Sequence, residues 1–386
     1  MSMKKIKVLM VAGDMHVGGI ENQLMHLARN ADKNKFQIDF TSTKRDAFFR
    51  KEIEALGGTF VLIPPMSWRN PEKYCKALLE VMRRGQYDIV HSHELFHSGI
   101  TLAIAKKAGI PNRFAHAHNW CDDDGTGRKR SVMRSIYNSI MRTMINRYST
   151  IQIACSTWAG TFLYGSKVIQ RDTYHLVFNS VDSRLFLVHY GQQESGEFCD
   201  GTWVNVLNVA RITAVKNQKF LVEIADVFRK RGSNIRILCA GNGDESYEAE
   251  LQMLIRERGL GSYVRLIGVR KDIDVLMRKS SAFVLPSKYE GMPLVMIEAQ
   301  ATGLSCVSAN TYSPEVDFEI DTVTWLSLDD SPEQWADAIE AAIQKNRPTK
   351  ESVEQAIRKK KFDSKMFAET MCNLYQQEYN RNKKFN

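Results

Sequence analysis

"SAFVLPSKYEGMPLVMIEAQATG" (Ser281–Gly303) decides the fold. Its opening, "SAFVLPS", reads as a strand buried on both faces. Pro293 suits a first helical position, because its fixed φ fits helix entry and its missing N–H costs nothing there. Gly303 reads as the helix stop. The unit is therefore strand, tight loop and short buried helix. Two glutamates, Glu290 and Glu298, stand either side of seven uncharged residues. Glu290 falls in the loop entering the helix, and Glu298 about one and a half turns inside it. Both lie near the carboxyl end of a strand, the edge at which open α/β sheets bind ligands.

The same alternation runs outward in both directions. Before it come "IKVLMVA", "QIDFTST", "TFVLI", "DIVHSH", "RFAHAH" and "IQIAC", with helical patterns between them at Ile20–Asn30, Phe48–Leu56, Asn70–Arg84, Ser98–Lys107 and Arg128–Tyr148. Near-continuous apolar strands separated by helices imply parallel sheets covered on both faces. The polar stretch "HYGQQESGEFCDG" then breaks the pattern, which restarts with "VNVLNVA", "IRILCA" and "YVRLIG" and continues to "LSCVSA" and "TVTWLS". The expectation is an α/β chain of two Rossmann-like domains facing across a cleft. Residues 1–188 form the first, 189–202 the linker and 203–363 the second. An amphipathic helix, 364–386, crosses back to the first domain.

The 386 residues suffice for two domains. No uncharged apolar run approaches the ~20 residues needed to span a bilayer. Seven cysteines form no C-x-x-C pair, and Cys155, Cys239 and Cys306 sit in apolar strands. That is the pattern of reduced, buried thiols in a cytosolic protein. Charge is uneven: residues 1–190 carry 27 Lys and Arg against 16 Asp and Glu, and the rest carry 26 against 28. A basic first half suits an anionic partner such as phospholipid, a phosphorylated acceptor or nucleic acid.

"AGDMHVGGIENQ" follows the first strand and opens a helix. Gly13, Gly18 and Gly19 let backbone approach a ligand, and the helix N-terminus offers N–H groups to an anion. The spacing is not G-x-G-x-x-G, and no acidic residue ends the second strand, which argues against a nicotinamide cofactor. An ordinary turn is the alternative. In "NVARITAVKNQ", Arg211 and Lys216 lie just past a strand end, where Arg can fork a diphosphate and Lys can neutralise it. A solvated surface pair is the alternative there. Glu298 needs hydrogen-bond donors if it is buried, from a neighbouring helix or from a ligand's hydroxyls. Cations, a helix N-terminus and two carboxylates together suit a nucleotide-sugar.

With "GGIE", "DIVHSH", "HAHN", "ACSTWAGTFLYG", "FNSVD", "ARITAVKNQ", "AGNGD", "IGVRKDI" and "PSKYEGMPLVMIEAQATG" in this order, the chain resembles a retaining GT-B glycosyltransferase of family 4. It is close to the bacterial exopolysaccharide and capsule type, and the resemblance covers essentially the whole chain. The last motif is the family's E-x7-E element. The resemblance implies that Arg211 and Lys216 hold the donor diphosphate, assisted by the backbone of Gly291, Met292, Pro293 and Leu294. Glu298 would bind the ribose hydroxyls and Glu290 those of the transferred sugar. His118 would reach the sugar, and Gly18 and Gly19 would flank the phosphates or acceptor. The backbone at Val269 and Arg270 would read the base. The implied catalytic group is Glu290, His118, Arg211 and Lys216. The implied reaction is hexosyl transfer from a UDP-sugar to a saccharide that is lipid-linked, undecaprenyl being the candidate carrier, at the inner face of the cell membrane. A UDP-sugar 2-epimerase of the same fold and a non-enzymatic nucleic-acid binder are the rivals. The second lacks any nucleic-acid motif.

No cofactor is expected. His91 with His93 and His116 with His118 each share a strand face, but no further ligand at zinc spacing joins them, so no metal site is expected. "CDDDG" (Cys121–Gly125) imitates a D-x-D metal motif and reads as a solvated loop. "RKRSVMRSIYNSIMRTMINRYS" is a basic amphipathic helix with an apolar stripe at Met133, Ile136, Tyr137, Ile140, Met141, Met144 and Tyr148. It suits either core packing or an anionic membrane surface.

Overall fold

Apolar runs pair in parallel into two separate sheets, each within its own compact unit. The structure is a computed structural model. It describes all residues except 1–3, 16–17, 68–69, 122–131, 189, 192–196, 199–200 and 384–386. The "CDDDG" aspartates, Arg128, Lys129, Arg130 and much of the polar linker therefore lie outside the described residues.

The first unit runs β1 (Ile6–Val11), α1 (Gly19–Asn30), β2 (Phe36–Ser42), α2 (Arg50–Ala55), β3 (Phe60–Leu62), α3 (Pro71–Gly85), β4 (Ile89–Ser92), α4 (Ser98–Lys107), β5 (Asn112–Ala117), α5 (Val132–Tyr148), β6 (Ile151–Ala154), α6 (Thr157–Tyr164) and β7 (Tyr174–Leu176). Its sheet order is β3-β2-β1-β4-β5-β6-β7, every pairing parallel. β1 is central and buried on both faces. Val8 and Met10 join the core beneath α1, whereas Leu9 and Val11 join the core formed with Leu78 and Met82 of α3. Asn70 caps α3 by accepting from Lys73 N, and Pro71 fills the first turn, as such residues do.

The second unit runs α7 (Ser183–Leu187), β8 (Val204–Val209), α8 (Gln218–Lys230), β9 (Ile235–Ala240), α9 (Glu245–Glu257), β10 (Val264–Gly268), α10 (Ile273–Lys279), β11 (Ala282–Leu285), α11 (Leu294–Ala301), β12 (Cys306–Ala309), β13 (Val323–Leu326), α12 (Pro332–Gln344) and α13 (Lys350–Lys360). Its order is β10-β9-β8-β11-β12-β13, again parallel. Both sheets are thus doubly wound, with the order reversing between β1 and β4 in one and between β8 and β11 in the other. The crevices at those two points are where such sheets bind ligands. The last helix, α14 (Ser364–Lys383), returns to the first unit and packs on α1 and β5.

Three sequence expectations change. The division between units falls after Ser180 and not at 188, because Asp182 caps α7 and that helix packs on α11 with Phe186 and Leu187 buried. β7 went unread, since three half-exposed residues carry no periodicity. Pro293 is the residue before the first turn of α11, with ψ 115, and not its first helical position. Gly303 does follow the helix with φ +69, the left-handed stop.

Candidate active site

In the second unit, the loops after β8 and β11 adjoin because their strands do. Lys288 N donates to Val215 O at 2.8 Å and laces one loop to the other. Across that seam Lys216 Nζ meets Glu290 Oε1 at 2.5 Å, both side chains mostly buried. Ser287 Oγ donates to the same carboxylate oxygen at 2.8 Å, and Thr311 Oγ1 ties down Ser287 O at 2.7 Å. Glu290 therefore sits in a fixed position. Arg211 is exposed at the mouth of β8, and no carboxylate among the described residues pairs with it. Its backbone is held hard: Gln218 Nε2 donates to Arg211 O at 2.9 Å.

The "AGNGD" turn explains how. A Cβ on Gly241 would lie 2.1 Å from Ala210 O, and one on Gly243 would lie 2.2 Å from Ile212 O. Two glycines wedge the β9 turn against the Arg211 loop, a close approach that no side chain permits. Gly241 also has φ +141.

Glu298 lies on α11 one turn beyond the helix start. Burial, with the nearby charge of Asp274, pushes its carboxyl up to about 7. Among the described residues no group donates a hydrogen bond to it, so a ligand hydroxyl would find an acceptor with nothing to displace. The start of α11, Gly291–Leu294, is buried. Val269 is exposed after β10, whereas the Arg270 guanidinium is committed to Asp272 at 2.8 Å and Glu197 at 3.0 Å. Any base recognition at Arg270 thus falls to its backbone.

In the first unit, Gly18 caps α1 in extended backbone and Gly19 is its first residue. His118 follows β5, half-buried. It shares a 2.8 Å hydrogen bond with His93 Nδ1 through its Nε2, and its ring stacks on His116 with centroids 4.0 Å apart. His91 Nδ1 shares a 2.6 Å bond with the Tyr375 hydroxyl of α14. Burial holds His91, His93 and His116 well below the usual imidazole range, and His118 at about 3. All four are neutral at pH 7. β4 and β5 are neighbours, so the two H-x-H pairs, separate along the sequence, come together as one histidine array. Sequence reading also passed over Glu94, which accepts from Tyr74 at 3.0 Å and Thr101 at 2.5 Å and which burial raises to about 7.

Comparison with known proteins agrees with this architecture. The family model for group 1 glycosyl transferases matches residues 200–360, and that for glycosyltransferase family 4 matches residues 17–185. EpsF of Bacillus subtilis (strain 168), a glycosyltransferase by name, is 31% identical over 380 residues, 97% of each chain. The capsular polysaccharide biosynthesis glycosyltransferase CapH of Staphylococcus aureus is 26% identical, covering 89% of this chain and 92% of its own. The crystal structure of Anabaena Alr3699/HepE with UDP-glucose superimposes with a TM-score of 0.76 at 17% identity, covering 96% of this chain and 100% of that one.

Proposed function

The chain belongs to the glycosyltransferases of group 1 and family 4, with the GT-B fold, and on that premise we propose that it is a retaining hexosyltransferase of surface polysaccharide synthesis. Its donor is a nucleoside diphosphate sugar, UDP-linked, and its acceptor a lipid-linked saccharide. One observation carries the reading. At the turning point of the second sheet the Lys216–Glu290 pair bridges the β8 and β11 loops at the entry to α11, Glu298 lies one turn into that helix with its carboxyl raised, and Arg211, exposed at the end of β8, pairs with no carboxylate among the described residues.

Each group then has a task. Arg211 forks the diphosphate, and Lys216, already oriented by Glu290, neutralises it as a point charge. The start of α11 adds its N-terminal dipole. Glu298 accepts from the ribose, Glu290 from the transferred sugar, and the backbone of Val269 and Arg270 reads the base. On the first unit, His118, Gly18 and Gly19 are assigned to sugar and acceptor. The bond from the anomeric carbon to the diphosphate breaks as the acceptor oxygen bonds to the same face. The acceptor's proton passes to the departing phosphate oxygen. Charge on that oxygen is where Arg211, Lys216 and the helix contribute most. No divalent cation is assigned to the diphosphate, so turnover should survive EDTA and gain nothing from added Mg²⁺ or Mn²⁺.

The acceptor assignment is supported by α5. Met133, Ile136 and Ile140 of its apolar stripe are 75%, 49% and 52% exposed, and only Met141 turns fully inward. No helix among the described residues is long and apolar enough to cross a membrane. An exposed stripe on a basic helix suits the headgroup layer.

Incubation with a panel of UDP- and GDP-sugars, with product analysis, tests the reading. A retaining transferase releases unchanged sugar and UDP slowly, and an acceptor glycoside of the donor's configuration once acceptor is present. A 2-epimer would identify the epimerase, and no turnover of any donor would remove the enzymatic reading.

A further inference from the structure

The histidine array of the first unit contains more than substrate recognition by His118 requires. One ring nitrogen from each of His91, His93 and His116 lies within 4.8 Å of one from each of the others. All three residues are buried. His91 Nε2, His93 Nε2 and both nitrogens of His116 have no hydrogen-bond partner among the described residues. Buried polar atoms are nearly always satisfied, so several orphaned nitrogens converging at one place call for a common partner. The opposite edges of two of these rings are engaged. His91 Nδ1 meets the Tyr375 hydroxyl, and His93 Nδ1 meets His118. That is the arrangement of ligating imidazoles, in which one nitrogen faces the ion and the other is held by an outer partner that sets the ring's orientation.

We propose that His91, His93 and His116 hold one divalent transition cation, tying together the carboxyl ends of β4 and β5. Zinc is the best match. An all-imidazole set suits zinc, copper or nickel, whereas magnesium and calcium require oxygen ligands. Zinc–nitrogen bonds of ~2.05 Å place tetrahedral ligand atoms ~3.4 Å apart. The three nitrogens stand within 4.8 Å of one another, so binding an ion draws them inward to that separation. Three protein ligands leave a fourth position for water or a substrate group. The site is independent of the diphosphate assignment, which lies wholly on the second unit's loops.

The test uses full-length protein freed of any affinity tag. Zinc content is measured by elemental analysis as purified, then affinity by competition with a chromophoric chelator, and geometry by the visible absorption of the Co²⁺ form. About one equivalent of zinc and a Co²⁺ spectrum of low coordination number are expected. His91→Gln and His116→Gln should each weaken zinc binding at least ~100-fold, and Tyr375→Phe about 10- to 100-fold. His97→Gln, on an exposed neighbour outside the array, should change nothing. Wild-type protein that takes up neither zinc nor Co²⁺ overturns the proposal without recourse to any variant. So does binding that persists unchanged in His116→Gln, or binding of Mg²⁺ in preference to zinc.

Discussion

Glu298 is a residue whose placement conflicts with the stability of the donor-free protein. Its carboxyl rises from an ordinary 4.5 to about 7 because burial disfavours the charge. A folded-state value raised above the unfolded one contributes stability below about 4.5 that is lost as pH climbs through about 7. Glu298→Gln should therefore stabilise the donor-free protein at pH 8 by on the order of 2–3 kcal/mol and leave it nearly unchanged at about pH 4, below the unfolded value. Urea melts at the two pH values check this, and a variant less stable at pH 8 would show that the carboxyl is not desolvated. The same variant should raise donor KM more than it lowers kcat, and wild-type KM should rise as pH falls below about 7. Arg211 behaves oppositely. It pairs with no carboxylate among the described residues, so Arg211→Ala should leave the melting temperature nearly unchanged. It should nevertheless remove roughly 2–5 kcal/mol of transition-state stabilisation, only part of it restored by Arg211→Lys. Unchanged UDP affinity by calorimetry would move the diphosphate elsewhere. The types and neighbourhood of these residues were legible in E-x7-E and "ARITAVKNQ". The Lys216–Glu290 pair was not, because 74 residues separate its members and only the adjacency of β8 and β11 joins them.

At the scale of elements, the Arg211 loop takes its shape from another turn. Gly241 sits at φ +141 against Ala210 O. Gly241→Ala should cost about 1–3 kcal/mol in strain at that backbone position alone, and more if the loop is forced away. Calorimetry should show weaker UDP binding beside the lowered melting temperature. Full UDP affinity in a destabilised variant would separate the turn from the site. Strands and helices with clear periodicity were legible, Ser98–Lys107 to the residue. What escaped was set by contacts distant in sequence. α7 shows no helical period of its own and is placed by packing on α11. The histidine array needs the order of β4 and β5, which spacing along one strand does not reveal.

For the whole molecule, the charge imbalance is the feature open to direct test. The basic first half and the exposed stripe of α5 predict sedimentation with anionic vesicles at low salt, release as salt rises, and indifference to neutral vesicles. Replacing Met133, Ile136 and Ile140 by serine should weaken that sedimentation while hydrolysis of soluble donor continues. Wild-type protein showing no preference for anionic vesicles would assign the stripe to another contact. Two doubly wound sheets were legible because strands buried on both faces alternate with helices throughout. The course of the chain between units has a further consequence, for the protein's birth on the ribosome. α14 brings Phe367, Met371 and Tyr375 into the core that holds Val8, Met10 and Phe36. The nascent first unit must wait, the core beneath α1 still lacking the side chains of α14, while the whole second unit is translated. At ~5–20 residues per second that wait is roughly ten to thirty-five seconds. During it the histidine array also lacks Tyr375, so a chain stalled before residue 363 has neither a closed core nor a finished array, and holdase chaperones would find their substrate there.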